Sequence, residues 1–448
     1  MNTTKEKIKT LLICVLIIGM VYLTYSVWFF DSPFGELHLD ELINIAPSGI
    51  ISENEAGADL ETFGIRPLAV MLRDKNGARG AVCDDKTCSE LYSKLRGVLS
   101  EAVSSQSAVS ESDDEEWKEL LAGGGIYVDY GGNVPVDALG IWLGGKDGNT
   151  DICARSFIFS TEKKKIRILA KNTSNGKIYA FESNASSQKA EEFIATLNAG
   201  KANFAAELEE ENFRAVRPEM IITDKKEAPA VISAYNSFAT FNAEVRNACL
   251  ESFGLDGTAP STYSEQDGTE VFVADMITLK ISPDGIVSYS DPRERADETL
   301  GLNVGTAGIA PTFAEATEAA RRLASSVASK LPTSGGIYLI SASRSGDETE
   351  LVFGRHINGI PIDMNGTEYF ARIVIRGTSI RAAKINLRGY DMTVQNADIL
   401  SEKLAVAAVG GSGKTGDLNL RYNDAGEQTV SPAWYIGGVR KKTDGEVE

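Results

Sequence analysis

Leu11–Phe30 (LLICVLIIGMVYLTYSVWFF) is a run of twenty residues without a charge, and it limits every fold open to this chain. As a helix rising about 1.5 Å per residue, such a run crosses the roughly 30 Å hydrocarbon core of a bilayer. Lys5, Lys7 and Lys9 precede it and Asp31 ends it; an excess of Lys/Arg on one flank keeps that flank in the cytoplasm. The expectation is a single-pass cell-membrane protein with residues 1–10 cytoplasmic, 11–30 spanning and the remainder extracytoplasmic. Tyr25, Trp28, Phe29 and Phe30 fall at the outer end, where amphipathic rings favour the headgroup layer. A cleaved signal peptide needs a shorter apolar core and small residues at its cleavage site. Here the residues at that place are bulky, Trp28-Phe29-Phe30-Asp31-Ser32-Pro33-Phe34, and Ile13 stands before Cys14 where a lipoprotein site needs a small side chain. An uncleaved anchor fits.

The anchor also carries a pattern. Cys14, Ile18, Tyr22 and Ser26 recur every four residues, with Tyr25 beside them. Small and polar groups on one stripe are the usual means by which membrane helices associate, because lipid offers no hydrophobic drive. These five residues are the candidate contact with a membrane partner; the plainer reading is that Tyr22, Tyr25 and Ser26 are ordinary interfacial residues.

Beyond the anchor the chain is long enough for several domains, and 43% hydrophobic residues suffice for real cores. The formal charge is −18, and setting aside Lys5, Lys7, Lys9 and Glu6 leaves 42 basic against 62 acidic residues outside. So acidic a surface repels nucleic acid and anionic headgroups, and no basic stripe exists. Binding to DNA or RNA is excluded. Of the external cysteines Cys83, Cys88, Cys153 and Cys249, only Cys83 and Cys88 are close in sequence. In an oxidising compartment they can close a small ring worth about 2 kcal/mol, or they stay reduced and pack. Two cysteines without nearby histidines do not complete a zinc site.

Residues 31 to about 60 read as a polar stalk. Leu68, Val70 and Leu72 alternate as in a strand and run into Asn76-Gly77, a type I′ hairpin signal. Thr87 to Val103 has helical spacing of Leu91, Leu95, Val98 and Leu99, and Ser104 to Ser112 reads as a Ser-rich loop. Ser112-Asp113-Asp114-Glu115 reads as a capping box for a short helix with Trp117, Leu120 and Leu121. Short strands at 126–128, 152–159, 166–169 and 178–181 and a helix over 188–197 complete a domain spanning 31–225. Two related units follow, 226–305 and 306–440, each a helix and then a hairpin-connected sheet. Their helices carry Phe241, Val245, Ala248, Cys249 and Phe253 in the first unit, and Phe313, Ala316, Ala320, Leu323, Val327 and Leu331 behind a Thr312–Glu315 capping box in the second. A further helix is expected over 397–409 and a disordered tail over 441–448. The fold class is α+β: one N-terminal transmembrane helix, then a multi-domain ectodomain of antiparallel sheets packed with helices.

Chemistry is hard to find. Gly410-Gly411-Ser412-Gly413-Lys414-Thr415 imitates a Walker A loop, but Ala408 replaces its first glycine and a helical pattern precedes it where a strand is required. It reads as a flexible loop. His38 and His356 are the two histidines; neither neighbours a nucleophile motif or a metal-ligand pattern. No catalytic, cofactor or metal residue is assigned, and the expectation is a protein that is not an enzyme.

Three stretches, Phe272–Tyr289 (FVADMITLKISPDGIVSY), Phe353–Ile362 (FGRHINGIPI) and Ser431–Ile436 (SPAWYI), together with the anchor, stalk and ectodomain layout, resemble the YycH family and its shorter relative YycI. These are membrane-anchored accessory regulators of the WalK/WalR cell-wall two-component system of low-GC Gram-positive bacteria. The resemblance implies a non-enzymatic regulator that contacts a WalK-like sensor histidine kinase, and a YycI-like protein, through its transmembrane helix and ectodomain. The competing expectation is a PepSY-like binding module that captures a peptide, wall fragment or protease.

Overall fold

The computed structural model describes residues 64–437, except for residue 76, 145–149, 197–200, 224–227, 257–259, 294–300, 306–308, residue 332, 365–368 and 413–414. The expected anchor Leu11–Phe30, with Cys14, Ile18, Tyr22, Tyr25 and Ser26, lies outside the described residues. Among the described residues no helix is long and apolar enough to cross a membrane.

The first layer is built by β1 (Ala69–Asp74), β2 (Gly77–Val82), α1 (Asp85–Ser104), β3 (Gln106–Ser112), α2 (Asp114–Ala122), β4 (Gly125–Pro135), α3 (Val136–Trp142), β5 (Cys153–Ser160), β6 (Lys165–Lys171), β7 (Ile178–Ser186) and α4 (Ser187–Thr196). The strands form one antiparallel sheet in the order β2-β1-β4-β5-β6-β7-β3. Side chains alternate across a strand, so Val70, Leu72, Ile126, Val128, Phe157 and Phe159 share one core with Leu91, Leu95 and Leu99 of α1. Met71, Tyr127, Ile158 and Leu169 instead join Trp117 and Leu121 of α2 in a second core. Both faces of the sheet are therefore covered.

Two readings are corrected here. Residues 106–112 are not a loop: β3 pairs with β7, with Ser110 opposite Ala180 and Ser112 opposite Ile178. The cap of α2 is Asp113 rather than Ser112, accepting from the amides of Glu115 (3.1 Å) and Glu116 (2.8 Å). A carboxylate takes two of the orphan first-turn donors at once, and Ser112 turns instead to the Glu116 side chain.

A short connection with β8 (Ala202–Phe204) and β9 (Ile221–Thr223) leads to β10 (Ala230–Asn236), α5 (Ser237–Thr240) and α6 (Asn242–Ser252). Then come β11 (Ser261–Ser264), β12 (Glu270–Ala274), β13 (Ile277–Ile281), β14 (Ile286–Ser290), α7 (Phe313–Lys330), β15 (Gly336–Ser345), β16 (Glu348–Ile357), β17 (Ile360–Asp363), β18 (Ala371–Arg376) and β19 (Ser379–Asn386). The chain closes with β20 (Arg388–Asn396), α8 (Glu402–Gly411), β21 (Asp417–Asn423), β22 (Thr429–Val430) and β23 (Pro432–Gly437). Strands β11-β12-β13-β14 form one antiparallel meander behind α6, and β15-β16-β18-β19 form another behind α7. The two meet through their last strands, β14 pairing antiparallel with β19 from Ile286 opposite Asn386 to Ser290 opposite Ala382. One sheet thus runs unbroken across both units and continues through β17, β21 and β23.

Helix α7 has the expected reciprocal cap: Glu315 N donates to Thr312 Oγ1 (3.1 Å) and Thr312 N to Glu315 Oε2 (2.7 Å). Its buried positions are mostly small, Ala314, Ala316, Ala319, Ala320 and Ala324, which lets the helix lie close to its neighbours. The two sheets approach at Gly132 of β4. A Cβ there would meet the carbonyl oxygen of Ile340 in β15 at 2.5 Å, so only glycine admits that contact. The expected helix over 397–409 begins later, at Glu402, where Ser401 caps the amide of Leu404. Gly410 and Gly411 are its last residues rather than part of a loop, and a Cβ on Gly410 would overlap Asn212.

Candidate functional site

Four charged residues from distant parts of the chain meet at the floor of a cleft, and three of them, Asp129, Arg155 and Arg217, line it. Arg155 of β5 sets its guanidinium against Asp129 of β4, Nε to Oδ1 at 2.9 Å and Nη2 to Oδ2 at 3.2 Å, and reaches Asp417 of β21 with Nη1 at 3.4 Å. Arg217, which precedes β9, contacts the same two carboxylates, Asp129 Oδ2 at 3.3 Å and Asp417 Oδ1 at 3.1 Å. Gly131, in the left-handed region at φ 80°, turns its amide back onto Asp129 Oδ1 at 2.7 Å. Burial by itself would raise the Asp129 pKa, but the charges of Arg155 and Arg217 outweigh it and hold the carboxyl at about 2. Asp417 is lowered in the same way: burial opposes, and Arg217 and Arg155 prevail. Both carboxylates stay ionised near neutrality, which suits a fixed charge lattice and not a proton donor.

Above this floor the cleft has a volume of ≈130 Å3. Leu68, Ile221, Ile360, Leu420 and Trp434 give it apolar walls, and Glu219 and Glu402 add carboxylates. Glu219 is paired with Lys171 at 3.3 Å, and Glu402 accepts from the hydroxyl of Thr223 at 3.2 Å. Trp434 is anchored by its indole N–H, which donates to the carbonyl of Leu400 at 2.9 Å.

One wall is held by a latch between the two sheets. Asp85, at the start of α1, accepts from the amides of Asn358 (2.7 Å) and Gly359 (2.9 Å) and stands 3.1 Å from Nδ1 of His356. Burial opposes ionisation of Asp85, but His356 and the two amides lower its pKa. The tip is the Asn358-Gly359 turn, with φ of 49° and 72°, the left-handed pair that a type I′ hairpin requires. A Cβ on Gly359 would overlap the carbonyl of Cys83 and stand 2.7 Å from that of Leu68.

Of the residues singled out from sequence, Cys83 is half-buried and lines the cleft, and Cys88 is buried and donates its thiol to the carbonyl of Pro67 at 3.4 Å. The two are unbridged here. His356, left without a role by motif reading, belongs to the latch. Asp129, Arg155, Arg217 and Asp417 were not found from sequence, and no spacing signal exists for partners as much as 262 positions apart. Trp434 lies in the quoted Ser431–Ile436 stretch but carried no role of its own.

The class of protein defined by this geometry is an α+β chain of antiparallel sheets with a charge-floored, apolar-walled cleft at their junction. It is similar to the crystal structure of YycH from Bacillus subtilis, with 11% sequence identity, 85% of this chain and 95% of that chain covered, and a TM-score of 0.48. No protein-family model matches the sequence, and no curated protein matches it.

Proposed function

We propose that this chain is a non-enzymatic, membrane-anchored regulator of a WalK-like sensor histidine kinase, acting from outside the membrane and through the Leu11–Phe30 helix. The observation that carries the reading is where the family-like stretches fall. Phe272–Tyr289 covers β12, β13 and β14; Phe353–Ile362 crosses the Asn358-Gly359 turn; Ser431–Ile436 enters β23. The second and third supply Gly359, Ile360, Pro361 and Trp434 to the cleft. Resemblance to the regulators thus falls in the framework sheet and in two parts of the cleft lining, the Gly359–Pro361 segment that the latch positions and Trp434, held by the carbonyl of Leu400. A YycI-like protein is the natural second partner.

Crosslinking in native membranes followed by affinity purification tests this. Recovery of a histidine kinase with the full-length chain is expected, and its consistent absence overturns the reading. Leucine at Tyr22 and Ser26 should weaken the kinase association while leaving insertion intact; unchanged association removes the stripe of Cys14, Ile18, Tyr22, Tyr25 and Ser26 from the interface. The second reading, a PepSY-like module for a peptide, wall fragment or protease, is favoured by the cleft itself and needs no kinase.

A further inference from the structure

We infer that Cys83 and Cys88 form a reversible thiol–disulfide site whose oxidation stiffens the Asp85 latch and, through it, one wall of the cleft. The inference rests on the proposed extracytoplasmic placement only for the source of the oxidant. Position comes first. Asp84 caps α1, its carboxylate accepting from the amide of Thr87 at 2.8 Å, and Asp85 is the first helical residue. Cys83 therefore stands just before the cap and Cys88 is the fourth residue of the helix. Side chains at those two places pack together as a hydrophobic staple. The structure holds both as free thiols, Cys88 buried and Cys83 half-buried. Burial, and next the charge of Cys83, push the Cys88 thiol up, in keeping with that neighbourhood. Cys153 instead faces the carbonyl of Ala342 in β15, and Cys249 is buried in α6.

Between the two cysteines lie the cap, Asp84, and the latch acceptor, Asp85, which holds the amides of Asn358 and Gly359. The Cys83 carbonyl itself rests so close to Gly359 that a Cβ there would overlap it, and Cys83 lines the cleft beside Gly359 and Ile360. The first turn of a helix opens at little cost in free energy, and two thiols, as small hydrophobes, restrain it weakly. A bond between the sulfurs ties the residue before the cap to the second turn. It removes unwound states of the segment that carries Asp85. What is given up is slight, a weak S–H donor bond from Cys88 to the carbonyl of Pro67 at 3.4 Å.

The step is thiol–disulfide exchange with a disulfide oxidant. The thiolate of the more accessible Cys83 attacks one sulfur of the oxidant, and the other sulfur leaves as a thiol. The Cys88 thiolate then attacks Cys83 Sγ and expels the second thiol. Two protons and two electrons pass from the pair to the oxidant, and a dithiol reductant reverses both steps.

The test equilibrates the detergent-solubilised full-length chain with oxidised or reduced glutathione, alkylates the remaining thiols and digests with trypsin without reductant. Cleavage after Arg79, Lys86 and Lys94 leaves the oxidised pair as residues 80–86 joined to 87–94 through sulfur. The joined peptides are expected with oxidised glutathione and should disappear with dithiothreitol, both in the folded protein. Hydrogen exchange at the amides of Asn358 and Gly359 should slow by about fivefold or more on oxidation. Cys83→Ser should abolish both responses, and Cys88→Ala serves if that variant does not fold. Asp85→Ala should keep the bond and lose the slowing at the turn. The inference is overturned if the joined peptides are absent, if they form only in urea, or if exchange at the turn is equal in both redox states. A folded Cys83→Ser chain that still responds also overturns it. Absence of a kinase in the crosslinking experiment, with these responses intact, removes the regulator reading and leaves the redox site standing.

Discussion

Trp142 donates its indole N–H to Glu318 Oε2 at 2.8 Å, joining α3 behind the N-terminal sheet to α7 behind the C-terminal one, with both residues buried. Burial would raise the Glu318 pKa, but Arg321 and Arg322 clamp the carboxylate and lower it. A hydrogen bond to a charged group contributes about 1.5–3 kcal/mol. Trp142→Phe, which keeps most of the ring and removes the donor, should destabilise the fold by that order in urea unfolding. A change below about 0.5 kcal/mol would show that this junction contributes little.

The Asp129 lattice sets a pH dependence. Its folded-state pKa of about 2 lies below the ordinary carboxylate value of about 3.9, so the unfolded chain binds the proton more readily between them. Stability from this group is complete above about pH 4 and is lost as pH falls toward 2, a change of about 2 kcal/mol. Asp417 and Asp85, also lowered, act in the same direction. Unfolding midpoints measured from pH 6 to pH 2 should fall, and Asp129→Asn should be less stable at pH 6 with a shallower acid slope.

Arg355 runs the opposite way. It is buried, its Nη2 donates to the carbonyl of Ser334 at 2.8 Å, and its Nε and Nη1 have no hydrogen-bond partner among the described residues. Burial pushes its pKa down to about 10, against a partial offset from Tyr390 and Tyr235. The guanidinium lies 5.3 Å over the ring of Phe370, which recovers part of the lost solvation. Replacing a poorly compensated buried charge by a hydrophobe of similar size is often neutral or stabilising. Arg355→Met should keep or raise the melting temperature, and a drop of more than about 5 °C, on the order of 1 kcal/mol or more, contradicts this account.

Burial raises the thiol pKa of Cys88, and raises those of Cys153 and Cys249 to about 12. Since the thiolate is the reactive form, iodoacetamide at pH 8 should modify these three slowly in the folded protein and rapidly in urea. The half-buried Cys83 should react first. Counting thiols in urea with and without reductant also reads the Cys83–Cys88 pair: equal counts mean the unbridged state of the structure, and two fewer without reductant mean the small ring.

Several elements could be read locally. The Thr312–Glu315 box and the Asn358-Gly359 turn depend on groups within four residues of one another, and the spacing of Leu91, Leu95 and Leu99 on one helical face repeats at every turn. Where neighbours compete, the local signal failed: Asp113 outbid Ser112 as a cap because its carboxylate reaches two amides.

The sequence by itself determined the uncharged run Leu11–Phe30, the acidic balance, much of the alternation of helices and strands, and the turns at which strands reverse. Each follows from side-chain periodicity or from backbone preferences expressed within a few residues. Tertiary structure decided that the serine-rich 106–112 segment is a strand, because β7 offered it an edge, and that β14 and β19 join two meanders into one sheet. It alone brought Asp129, Arg155, Arg217 and Asp417 together and set His356 against Asp85. Edge pairing and ion lattices depend on which distant surfaces meet when the core closes, and no local spacing encodes that meeting.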